Sequence, residues 1–107
     1  MKAVRFHPLA LEVIRTYSEA TRRDLGKALH DLQMGATIGM PLSRPMPVVS
    51  DGAAELRLRD KDGIYRVFYV LRHAGAILVF HAFTKKTQAT PPRELDLARK
   101  RLKEMEK

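Results

Sequence analysis

Residues 3–7, Ala-Val-Arg-Phe-His, alternate apolar and polar side chains and predict a short first strand, ended by Pro8. Proline suits the first turn of a helix, where its missing N–H would be unpaired in any case. Leu9, Leu11, Val13, Ile14 and Tyr17 give a short, mostly apolar helix. Ser18 can cap a second one, in which Leu25, Leu29 and Leu32 fall at i, i+4 and i+7 and Gly35 provides the terminus. The pair reads as a helical hairpin with Arg22, Arg23 and Lys27 facing solvent. The stretch 35–52, with Gly39, Pro41, Pro45 and Pro47, keeps no period and predicts a loop across the domain. Three strand-like runs follow, Ala54–Arg59, Ile64–Leu71 and Ala76–Thr84. The short links Asp60-Lys61-Asp62-Gly63 and Arg72-His73-Ala74-Gly75 join them into an antiparallel meander. Pro91-Pro92 opens a last amphipathic helix with Leu95, Ala98, Leu102 and Met105 along one side. The whole predicts one α+β domain over residues 1–107.

Alternation within the strands sorts their side chains. Glu55, Arg57 and Arg59 share one face of the first meander strand, and Leu56 and Leu58 take the other. Arg66 interrupts a run, Ile64 to Val70, that is otherwise apolar enough to be buried on both faces, so a charge there calls for a reason. Strict alternation in the third strand puts Ile77, Val79, His81, Phe83 and Lys85 together, with Leu78, Phe80, Ala82, Thr84 and Lys86 opposite. Its end is a cationic corner.

Composition sharpens this picture. Twenty Lys and Arg against twelve Asp and Glu give a net charge of +8, and the excess peaks between residues 55 and 86, where seven bases face three acids. A concentrated positive field favours a polyanionic partner. The absence of cysteine excludes thiol redox chemistry and thiolate metal sites, and it fits a reducing cytoplasm, the expected location. The N-terminus shows no apolar signal core, and no apolar run approaches the roughly 20 residues a membrane span needs. The four histidines, His7, His30, His73 and His81, have no metal-ligand spacing, and there is no GxxxxGK phosphate loop. Neither a metal nor another cofactor is expected. What is left is stabilisation of a phosphate by arginine and lysine.

Each candidate has an ordinary reading beside the functional one. Arg57 could pair across strands with Glu55 or Asp60. His81 alone is more often a hydrogen-bonded packing histidine than a catalyst. Tyr65 and Tyr69 suit the core as well as they suit a base, and Lys85-Lys86 could be a solvated pair. Their convergence on one strand corner is the signal.

The succession Glu55-Leu56-Arg57, Tyr65-Arg66-Val67-Phe68-Tyr69 and His81-Ala82-Phe83-Thr84-Lys85-Lys86-Thr87-Gln88, with Pro91 opening the last helix, resembles the phage-related HigB branch of the RelE/ParE toxin superfamily. The resemblance runs from the helical hairpin to the last helix. It implies a RelE-like fold, a curved antiparallel sheet with an N-terminal helical hairpin and a C-terminal helix. It also implies cleavage of mRNA in the ribosomal A site, and a helix-turn-helix antitoxin as partner. Two departures stand out. Ala53-Ala54 occupies a place where relatives carry a bulkier residue, and residues 93–107 lack the aromatic that some RelE proteins use near the C-terminus.

On this reading the ribose 2′-OH attacks the adjacent phosphate, leaving a 2′,3′-cyclic phosphate and a 5′-OH. Arg57 and Arg66 hold the phosphate, because guanidinium forks match its oxygens. Reference pKa values of about 6.5 for His and 10.4 for Lys favour His81 as base unless neighbouring cations depress a lysine by roughly three units, and Lys85 and Lys86 take an electrostatic role. Arg59, Tyr69 and Lys86 are expected to contact substrate. The rival readings are a ParE-like toxin that binds DNA gyrase without chemistry, and an RNA-binding module without catalysis.

Overall fold

The computed structural model describes residues 1–72, 75–85 and 89–106. The elements run β1 (Val4–Phe6), α1 (Pro8–Ile14), α2 (Glu19–Gln33), β2 (Ser43–Pro45), β3 (Ala53–Asp60), β4 (Gly63–Arg72), β5 (Ala76–Lys85) and α3 (Pro92–Met105). They form one sheet in the order β1-β5-β4-β3-β2. All neighbours are antiparallel except β1, which lies parallel to β5. The hairpin α1–α2 covers one face over Leu25, Leu29, Leu32, Leu56, Val67 and Val79. Helix α3 covers part of the other over Phe68, Val70, Leu78, Phe80, Ala98 and Leu102.

Local chemistry accounts for the element ends. The Ser18 hydroxyl accepts the Thr21 N–H at 3.1 Å, which caps α2. Beyond it Gly35 takes φ +93°, so that Gly35 N–H bonds Leu32 C=O and Ala36 N–H bonds Asp31 C=O, the paired closure that a left-handed residue permits. The loop expected over 35–52 contains a short strand, β2. Its three residues carry too little alternation to be seen, and Pro45 is tolerated because β2 lies at the sheet edge.

One facing differs from strict alternation. Phe68 pairs with His81 but Tyr69 pairs with Val79, so Phe80 is an extra residue, a β-bulge in β5. In consequence Ile77 and Val79 pack beneath α1–α2, whereas Phe80, His81 and Phe83 all lie on the α3 side. The expected single row from Ile77 to Lys85 is therefore broken at the bulge.

The β3–β4 turn is tied down by Asp60. Its carboxylate accepts from the Ser18 and Thr21 hydroxyls at 2.8 and 2.9 Å, from the backbone N–H of Asp62 and Gly63, and from the Tyr65 hydroxyl at 3.0 Å. These bonds, the Ser18 one foremost, hold the Asp60 carboxyl well below the usual carboxylate range. They link the cap of α2 to the tip of the hairpin that carries Arg57 and Arg66. Because the folded pKa is depressed, the stabilisation is complete above the ordinary value near 3.8 and is lost as pH falls below it. Asp60→Asn should lower the melting temperature at neutral pH and flatten the acid limb of melting temperature against pH. Thermal melting followed by circular dichroism reads both.

A cationic cleft beside the third helix

Cross-strand register builds the site. Directly opposed residues share a face, so Arg44 meets Glu55, Arg57 meets Arg66, and Arg66 meets Phe83, all on the side of the sheet that carries α3. Ile64 and Lys85 make the next row. The charges are graded in depth. Arg44 and Arg59 are exposed and Arg57 is half-buried, while Arg66, Lys85 and Glu55 are 6%, 7% and 1% exposed. Beside them opens a cleft of about 430 Å³, bounded by Arg57, Arg59, Ile64 and Arg66 of the hairpin and by Pro41 and Leu42 of the loop before β2.

The buried groups are unusually short of partners. Arg66 Nε stands 3.7 Å from Glu55 Oε1, an ion pair longer than a hydrogen bond, and one Arg66 terminal nitrogen donates to the Tyr65 carbonyl at 3.2 Å. Arg57 Nε, Arg66 Nε and Glu55 Oε2 are buried without a hydrogen-bond partner among the described residues. An unsatisfied buried polar group costs about 1–3 kcal/mol, more when charged. Opposing like charges across strands adds to that cost. The arrangement leaves positive charge beside the cleft that the buried Glu55 only partly offsets.

Lys85 is drawn into the same field. Burial first, then the Arg66, Arg57 and Arg44 guanidinium groups, push its ammonium below the usual lysine range, with Glu55 acting in opposition. Burial and the neighbouring Arg57 and Arg44 likewise lower Arg66, again against Glu55.

Two expected site residues are held elsewhere. Tyr69 lies on the opposite face in the core beneath α1–α2, and its hydroxyl is 2.7 Å from Ser43 Oγ. His81 is on the α3 side but is covered by that helix. Arg101 donates to its Nδ1 at 2.8 Å, which leaves the proton on Nε2 to be donated to Glu94 at 2.7 Å. Its ring also packs against Phe68 and Phe83. Burial, ahead of the opposing Glu94 hydrogen bond, pushes its pKa below 6.5. A neutral imidazole with both nitrogens engaged pins α3 to the sheet and has none left for substrate. Arg57, Arg59 and Arg66 line the cleft, Lys85 lies on the same face opposite Ile64, and Lys86 lies outside the described residues. Arg44 and the depth of Glu55 were missed, the first because β2 gave no pattern and the second because alternation shows facing but not burial.

The architecture is that of a RelE-type toxin. The crystal structure of the isolated E. coli RelE toxin superposes with a TM-score of 0.57 at 18% identity, covering 82% of this chain and 89% of that one, a likeness of fold. The sequence profile of the family described as Phage derived protein Gp49-like matches residues 12–103. The chain belongs to that family, a RelE/HigB-type family of toxin–antitoxin toxins. No curated protein matches it.

The histidine clamp carries its own test. His81 is neutral in the fold with a depressed pKa, so its contribution is present above the ordinary value of 6.5 and is lost as pH falls through that region. His81→Leu should cost about 1–3 kcal/mol, since Glu94 and Arg101 lose a buried partner. It should also flatten the dependence of stability on pH between about pH 7 and about pH 5. Urea titrations of the two proteins across that range measure both effects.

Proposed function

We propose that this toxin is a ribosome-dependent mRNA endoribonuclease that acts by metal-free transfer to the ribose 2′-OH. The observation that carries the reading is the cleft itself, where the paired guanidinium groups of Arg57 and Arg66 stand beside a lysine whose ammonium is weakened. A phosphate seated against the arginines would receive bidentate, charge-assisted bonds that strengthen as its oxygens gain charge in the transition state. Lys85 takes the part of base. Burial and flanking cations lower its proton affinity, the direction a lysine must move to serve as a base. Arg44 and Arg59 at the rim contact flanking phosphates, and Lys86 is assigned to the same strand of substrate. The 2′-OH would lose its proton to the neutral Lys85 amine as its oxygen bonds to phosphorus, and the P–O5′ bond would break, the leaving 5′-oxygen taking a proton from water. Such a sparse site depends on geometry supplied by the ribosome, which is worth several kcal/mol of the barrier when reacting groups are held in line. The natural partner of a toxin in this class is an antitoxin, here taken to be a helix-turn-helix protein.

Arg66→Ala should fold and should cut mRNA about 10² to 10³ times more slowly. Arg66→Lys should also be poor, because a point charge cannot make the forked contact. Arg59→Ala, at the exposed rim, should lose less. Single-turnover cleavage on programmed ribosomes measures all three, and a folded Arg66→Ala protein cutting at the wild-type rate would remove the mechanism's main support. If pulse labelling in cells showed replication failing first with mRNA intact, a gyrase-directed activity would replace this reading.

Binding should be salt-sensitive in proportion to the phosphates engaged. For a non-cleavable single-stranded analogue, each phosphate neutralised should add about −0.7 to the slope of log K against log salt. Arg44→Ala and Arg59→Ala should each remove roughly one such contact. An affinity unchanged between about 50 and 200 mM salt would count against phosphate recognition.

A further inference from the structure

Among the described residues around the cleft Glu55 is the most deeply buried charge, at 1% exposure, and its one ion pair, to Arg66, is long. A carboxylate buried only to hold the fold together satisfies both oxygens with donors. Here Oε1 is 3.7 Å from Arg66 Nε and Oε2 has no partner among the described residues, so the group acts chiefly through its charge. Register places it at the centre of the cations. Arg44 of β2 lies directly opposite, Arg57 is two residues on along the same face of β3, and Arg66 of β4 is paired with Arg57. Lys85 of β5 feels the same set, Arg66, Glu55, Arg57 and Arg44.

We propose that Glu55 is the positioning residue of the cleft, the internal counter-charge that keeps Arg66 and Lys85 in place and in balance until a phosphate arrives. This rests on the reading of the cleft as an RNA-cleaving site but concerns a residue that touches no reacting atom. The buried Arg66 and Lys85 and the half-buried Arg57 repel one another where screening is weak, and the exposed Arg44 adds to the field from the rim. The Glu55 carboxylate offsets it without satisfying the arginines, because the contact to Arg66 is too long to saturate its Nε–H. An incoming phosphate would add the negative charge that Glu55 alone does not supply, meeting Arg57 and Arg66 where they line the cleft. The same charge opposes the cations at Lys85 and so governs the pH at which that amine gives up its proton.

The test uses the full chain with lysine carrying 13C at Cε, the Lys85 resonance being assigned by its loss in Lys85→Arg. In Glu55→Gln, whose side chain has the same shape without the charge, the Lys85 titration midpoint should move to lower pH. In Glu55→Asp, which restores the charge, it should return toward the wild-type midpoint, so a folding defect in either variant leaves the other comparison standing. The acid limb of cleavage rate against pH should move down with the midpoint in Glu55→Gln, and the maximal rate should fall as Arg66 loses its anchor. A folded Glu55→Gln protein with an unmoved or raised Lys85 midpoint overturns the proposal whatever its activity. A lowered midpoint in a chain whose wild type cuts no mRNA supports the role of Glu55 and sinks the RNA-cleaving reading instead.

Discussion

The structure turns on the register between β3 and β4, which sets Arg57 directly opposite Arg66 with Glu55 one row away. Like charges facing each other across strands oppose folding, and burying them adds a desolvation cost. A slip of β3 by one residue would part Arg57 from Arg66, but it would drive Arg57 into the apolar face beneath α1–α2 and turn Leu56 and Leu58 out of it. The apolar pattern therefore forces the charges together, and the remaining features hold the sheet so that they stay there.

Several polar tethers supply that rigidity. Asp60 binds the hairpin tip to the cap of α2 through hydroxyl and backbone donors. His81, between Glu94 and Arg101, fixes α3 against β5 behind the cleft. Arg99 directs two of its nitrogens to the Val48 carbonyl, and Arg72 reaches Glu106, Ser50 and the Asp51 carbonyl, so α3 and β4 hold the segment that follows β2. In the proposed reaction a cleft pinned on both sides would need little reorganisation, the condition under which electrostatic stabilisation of a transition state is most effective. The aromatic packing of Phe68 with Phe80, Phe83 and His81 fills the sheet face between α3 and the cations.

Much of this was legible in the residues. The leucine spacing in α2, the glycine closing it, the meander and the amphipathic last helix all follow from local periodicity, and Arg66 declared itself as a charge in an apolar strand. Features set by contacts distant in sequence were not legible. Strand β2 exists because its three residues pair with β3, and β1 is parallel to β5 because the intervening hairpin carries the chain across the sheet. The bulge at Phe80 leaves no mark on composition, yet it decides that His81 lies under α3 instead of in line with Val79. Without that helix in view, His81 looked the better base. With it in place, both ring nitrogens are occupied, and the proposed mechanism therefore gives the base to Lys85.

The proposed chemistry turns on the cationic cleft directing the ribose 2′-OH onto its own phosphate. End-group analysis of mRNA fragments produced on programmed ribosomes tests it most directly. Fragments ending in 2′,3′-cyclic phosphate opposite a free 5′-OH, with cleavage abolished when the target nucleotide carries a 2′-deoxyribose, are the result this site predicts. Fragments bearing 5′-phosphate and 3′-OH, or cleavage that survives removal of the 2′-OH, would contradict it.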